Sequence, residues 1–298
     1  MKKTIYRLFF VFFLICFVFC CGAMTYRYVI RQNAAEAMEK AKEETTVSTE
    51  IESSIADSNF DSVNTDKNTA VRDESVADES ATSDNTSDNQ NDVKPVDVIK
   101  ERGILIPEKN IDWNELHGQN PDIYAWIYVP GTNIDYPILQ HPDEKSYYLN
   151  HNIDGSEGYP GCIYTQNVNT KDWTDPNTVI YGHNMNNGSM FHDLHRFEDA
   201  VFFDETQYLY IYTPERNLVY EIFAAYPFTN IDLIMCFDYS TPEALLVYFD
   251  GIWTNRSMTS HFRDSIVLYG DSRIITMSTC IGGQPDMRYL VQAVLLNP

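Results

Sequence analysis

Positive charge is scarce in this sequence: 21 Lys and Arg stand against 43 Asp and Glu, a formal net charge of −22 at pH 7. No basic stripe is available to neutralise phosphates, so nucleic-acid binding is disfavoured as a function. Large side chains are nearly missing from Thr45 to Val93, a stretch of Ser, Thr, Asp, Asn and Glu with scattered Val. Such a segment cannot bury enough apolar area to offset its ordering entropy, which predicts a disordered tether without internal repeats. Twelve of the acids sit in it, opposed only by Lys67 and Arg72, and signify solvation and self-repulsion rather than a partner surface. Cysteine is also sparse. Three of the six fall in an apolar N-terminal run (Cys16, Cys20, Cys21), leaving Cys162, Cys236 and Cys280 in the part expected to fold. An odd number leaves one thiol free and does not say which.

At the N-terminus, Lys2, Lys3 and Arg7 precede an uncharged run, LFFVFFLICFVFCCGAM, from Leu8 to Met24. Its length is near the ~20 residues that cross ~30 Å of hydrocarbon. No small-x-small cleavage site follows it cleanly, and Phe17, Val18 and Phe19 are too bulky for a lipoprotein signal before Cys20. The expected organisation is a cytoplasmic tail over residues 1–7, a single-pass signal-anchor over 8–26, an acidic stalk over 27–95 and one folded domain over 96–298. Basic residues on the short N-terminal side place that domain outside the cell, anchored to the membrane.

Within the domain, Asp112 to His117 predicts a short helix. Ile123 to Leu139 reads as two strands around a Pro130-Gly131 turn. Further strands are expected around Ile163, from Asn177 to His183, from Gln207 to Thr213, from Leu218 to Tyr226, from Ser272 to Cys280 and from Arg288 to Leu296, the last two flanking a loop IGGQPDM. Met190 to Phe197 reads as helical, and so does Pro242 to Trp253, with Leu245, Leu246, Phe249 and Ile252 along one face. Many short strands with a few helices argue for a mostly-β barrel with small helical insertions.

Three residues carry candidate chemistry, and each has a plainer alternative. Cys280 ends the alternating strand IITMSTC beside a Gly-Gly pair, where a substrate can approach; the alternative is a buried structural thiol. His183 ends NTVIYGH at a strand mouth; the alternative is a solvated turn histidine. Arg288 opens the strand that returns beside Cys280, and a fork-shaped permanent cation suits a thiolate or developing oxyanion; the alternative is a salt bridge at the barrel rim. His192 and His195 stand three apart on the expected helix, yet no further ligands at zinc-like spacing accompany them, so a solvated helix face is expected rather than a metal site. No carboxylate offers itself as a third partner for His183.

Taken together, YGHNM, then STC, then an Arg opening the next strand resemble the sortase family, and in detail class B. Supporting strings are WIYVPGTNIDYPILQ (Trp126 to Gln140), the Tyr148-Leu149 pair, GCIY, NTVIYGHNMNNGSMFHDL (Asn177 to Leu194) and ITMSTC (Ile275 to Cys280). The long segment between Tyr226 and Ser272, with its helix, also fits class B. Cys162 departs from the family, where Ala or Ser is usual. The resemblance spans about Ile111 to Pro298 and implies a closed eight-stranded β-barrel with an N-terminal helix and a helix before the penultimate strand.

What the resemblance implies about chemistry is a thioacyl route that needs no cofactor or metal. Cys280, as thiolate, attacks the Thr carbonyl of an Asn-Pro-x-Thr-like sorting signal near the C-terminus of a secreted protein. Arg288 holds the oxyanion, and His183, as imidazolium, protonates the leaving amine. Ser278 and Thr279 are candidate substrate contacts. An amine of a cell-wall precursor, or alternatively a pilin lysine, resolves the intermediate. A papain-like extracellular peptidase is the other enzyme class, but there Cys precedes His and opens a helix, whereas here His183 comes first.

Overall fold

The computed structural model describes residues 98–298. The expected tail, signal-anchor and stalk all lie outside the described residues. Among the described residues no helix is long and apolar enough to cross a membrane.

Two short helices enter the domain, α1 (Val98–Glu101) and α2 (Trp113–Gln119). Asp112 starts α2 because its carboxylate accepts from the backbone N–H groups of Asn114 and Glu115, two donors that the first turn cannot satisfy itself. Nine strands follow: β1 (Ile123–Tyr128), β2 (Asp135–Leu139), β3 (Ile163–Thr165), β4 (Asn177–Tyr181), β5 (Tyr208–Tyr212), β6 (Asn217–Thr229), β7 (His261–Phe262), β8 (Ile274–Ile281) and β9 (Gln284–Leu295). They are ordered β5-β1-β2-β3-β4-β8-β9-β6-β7, and β5 also pairs with β6. That extra pairing closes eight strands into a ring and removes its edges, with β7 left as a two-residue addition outside. The β2–β3 and β4–β8 pairs are parallel and the others antiparallel, so the expected closed eight-stranded barrel is a mixed one.

Strand alternation sorts the core into two faces. Ile275, Met277, Tyr289, Val291 and Ala293 fill the barrel with Trp126, Ile138 and Ile211. Their neighbours Ile274, Leu290 and Val294 point outward and are covered by α5 (Pro242–Ile252), which Thr241 caps and Pro242 opens. In the chain between β4 and β5 lies α3 (Ala200–Glu205), whose Phe203 joins the barrel core, and α4 (Leu233–Cys236) follows β6. Under α5, Gln292 donates to the hydroxyls of Tyr248 and Thr276 and accepts from Tyr226, so a fully buried amide is satisfied on all sides.

Three local expectations change. The buried stripe of α5 is Leu245, Tyr248, Phe249 and Ile252, while Leu246 is 41% exposed; at 100° per residue it falls off the stripe that positions 245, 248, 249 and 252 share. The segment read as a helix from Met190 is instead a 3₁₀ run, His192–Glu198. Met190 takes φ +60, with its N–H on the Tyr136 hydroxyl, and Phe191 N–H bonds back to His183 O, so the chain closes a loop before it coils. Finally, IGGQPDM is mostly strand: β8 runs to Ile281 and β9 begins at Gln284, with the turn confined to Gly282 and Gly283, the latter at φ +75.

Candidate active site

The parallel pairing of β4 with β8 brings the His183 corner to the end of the Cys280 strand, and the β8–β9 hairpin sets Cys280 directly opposite Arg288. These three residues line one groove of about 260 Å³. A larger groove of about 500 Å³ lies between β6 and α5, but no His, Cys or Arg lines it, so the nucleophilic chemistry belongs to the smaller one.

The corner is built tightly. Gly182 N–H donates to Ser278 O at 3.2 Å, and the Thr279 hydroxyl donates to Gly182 O at 2.9 Å. A Cβ at Gly182 would stand 2.4 Å from Ile163 Cδ1 and 2.7 Å from Phe191 Cγ. Gly182→Ala is therefore expected to cost about 1–3 kcal/mol of stability, read from the denaturant midpoint; an unchanged midpoint would mean that the corner can relax.

His183 is half-buried, with Nε2 donating to Leu149 O at 2.7 Å and the Tyr159 ring 4.8 Å away. Burial lowers its pKa below the ordinary 6.5; the Leu149 carbonyl opposes that, and nearby Arg288 adds to it. Burial therefore favours the neutral imidazole in the open groove, whereas the resemblance implies an imidazolium during the reaction. The sign for stability follows. Unfolded chains take up the proton near 6.5 and the folded chain only at lower pH, so this group's contribution is complete above 6.5 and is lost as pH falls through the folded value. Chemical denaturation at pH 7.5 and pH 5 should show that loss in the unsubstituted chain and a smaller one in His183→Gln; equal losses would contradict the assignment.

Arg288 Nη1 donates to Pro285 O at 2.9 Å and Met287 O at 2.8 Å, within its own hairpin. Cys280 is partly exposed. Ser278 shares the Cys280 side of β8 and lines the groove, whereas the Thr279 hydroxyl is committed to Gly182. Cys162 is buried with Sγ 3.5 Å from His151 O, and burial pushes its thiol far above the ordinary range, so it is inert packing.

His192 and His195 are not on a solvated face. Both are partly buried beside the site: His192 Nδ1 lies 2.8 Å from Asn184 Oδ1, and His195 Nε2 lies 3.0 Å from both Asn184 Nδ2 and Cys280 O. Among the described residues no group of three His, Cys, Asp or Glu is placed to hold a metal. Sequence reasoning also missed Leu149 as the acceptor for His183, and Tyr159 beside it.

A thiol, an imidazole and a guanidinium converging on one open groove can carry out acyl transfer. A family model described as Sortase domain matches residues 127–296. Sortase B of Listeria monocytogenes is 36% identical over 166 residues, which cover 56% of this chain and 65% of that protein. The chain thus spans about 65% of the length of the curated relatives it matches, 64% for sortase B of Staphylococcus aureus. The structure of Clostridium perfringens sortase B superposes with a TM-score of 0.57 at 31% identity, over 62% of this chain and all of that one. A Streptococcus pyogenes class B sortase involved in pilus biogenesis gives 0.52 at 26% identity, over 62% and 98%. The family model covers more than half of the sequence, and the chain belongs to the sortase family.

Proposed function

We propose that this protein is a class B-type cysteine transpeptidase that cuts an Asn-Pro-x-Thr-like sorting signal after Thr and passes the acyl group to an amine of a cell-wall precursor. The observation that carries the reading is the register pair Cys280–Arg288, with His183 entering the same groove from β4. Cys280 Sγ bonds to the Thr carbonyl carbon while its proton passes to neutral His183. The oxyanion is held by Arg288, which leaves its hairpin carbonyls to do so. Collapse breaks the C–N bond, and the proton on His183 goes to the departing amine. The acceptor amine then attacks the thioester, gives its proton to His183 and releases the thiol. Ser278 contacts the signal from the floor of the groove, and Thr279 contributes through its backbone. A single-pass anchor over residues 8–26 would hold this chemistry at the outer face of the membrane, on a stalk; that placement is supported by the sequence alone.

A pilin lysine is the second acceptor reading, favoured by the similarity to the Streptococcus pyogenes enzyme involved in pilus biogenesis. Mass spectrometry of the protein incubated with a panel of signal peptides tests the proposal. A thioester adduct mapped to Cys280, discharged by an added amine, is expected with one peptide class. Peptide cleavage that continues in Cys280→Ala would refute it.

A further inference from the structure

Asn184, the residue after His183, is the centre of a side-chain cluster that the reaction above does not use. Its Nδ2 lies 3.0 Å from the Cys280 carbonyl oxygen and 3.0 Å from His195 Nε2, and its Oδ1 lies 2.8 Å from His192 Nδ1. His195 Nδ1 in turn lies 2.5 Å from Glu198 Oε1. Counting hydrogens assigns the donors. The two amide hydrogens of Asn184 go to the Cys280 carbonyl and to His195 Nε2. His195 Nε2, which also lies 3.0 Å from the Cys280 carbonyl oxygen, then accepts from Asn184, while its Nδ1–H donates to the Glu198 carboxylate and His192 donates Nδ1–H to Asn184 Oδ1. The buried Tyr289 ring, 5.3 Å from His195, limits how far that imidazole can turn.

The anchored carbonyl is placed where the sheet gives least support. The β8–β9 register breaks between Cys280 and Ile281, and two glycines follow. On the β4 side the ladder ends at Ser278, so the backbone that aims the thiol is paired only with β9, and that pairing slips just past Cys280. We propose that Asn184, oriented by His192 and by the His195–Glu198 couple, is a positioning residue that clamps the Cys280 backbone and so directs its thiol toward His183 and Arg288. The clamp joins the nucleophile to the residue next to the proposed base, so the two move as one unit. The proposal rests on Cys280 being the nucleophile.

Peptide-cleavage kinetics, iodoacetamide alkylation of Cys280 and thermal midpoints on Asn184→Asp, His195→Phe and His195→Gln test it. Asn184→Asp keeps the shape and the acceptor for His192 but turns both donors into acceptors. Misplacement by about 1 Å can cost about 100-fold, so kcat is expected to fall ~10–100-fold with KM within ~3-fold. Alkylation by a small, freely tumbling reagent should stay within about twofold, since the thiol is re-aimed rather than made less acidic. His195→Gln should retain more kcat than His195→Phe, because its amide oxygen can still accept from Asn184 Nδ2. If Asn184→Asp fails to fold, the two His195 variants decide on the same readouts. Unchanged kcat in the folded variants, or kcat and alkylation falling in parallel, overturns the clamp while an inactive Cys280→Ala leaves the nucleophile in place. Turnover retained in Cys280→Ala removes both.

Discussion

Cys280→Ala is expected to form no covalent adduct and to lose turnover on the order of 10⁴- to 10⁶-fold, as removal of a nucleophile from a catalytic unit does elsewhere. Cys280→Ser should be nearly as inactive. A hydroxyl is far harder to deprotonate than a thiol, and the base on offer, a half-buried neutral imidazole, does not close that gap. Neither change should alter stability by more than ~0.5 kcal/mol, because Cys280 is partly exposed at a strand end and its side chain supports no core packing. Equal thermal midpoints with activity lost would place the defect in chemistry. Activity retained in the Ala variant would end the transpeptidase reading.

Strand content was legible because alternation is local. Ile274, Thr276, Ser278 and Cys280 share a face in the sequence and in the structure, and the Asp112 cap announces its helix. Closure of the barrel was legible only through the family resemblance, since it depends on β5 pairing with β1 across more than eighty residues, which no local pattern encodes. The same division holds at the site. Cys280, His183 and Arg288 stand at strand ends or corners that can be read along the chain. The groups that orient them come from irregular segments: Leu149 through a backbone carbonyl, Tyr159 through its ring, and His195 through a 3₁₀ run mistaken for a solvated helix face. A backbone carbonyl has no sequence signature. The His192–His195 spacing does carry a signal, since one helical turn sets both imidazoles on the side that faces the His183 corner, within reach of Asn184.

Arg288→Ala should lower kcat/KM by about 10²- to 10³-fold, the scale of one oxyanion donor, with most of the loss in kcat. On the proposed mechanism the guanidinium meets little of the ground-state substrate. In the open groove its Nη1 bonds to the Pro285 and Met287 carbonyls of its own hairpin, and those bonds are exchanged when negative charge develops opposite Cys280. Exchanging neutral acceptors for an oxyanion strengthens the interaction in the transition state selectively, which is what raises kcat rather than binding. Arg288→Lys separates charge from shape. Lysine keeps a cation but not the planar fork that can leave one carbonyl while still reaching the oxyanion with a second N–H, so it should remain at least about tenfold below the unsubstituted chain. Full activity in Arg288→Lys would show that charge alone suffices. A rise in KM with kcat intact would instead make Arg288 a binding residue, and the oxyanion would then need its donor from the backbone at the end of β8.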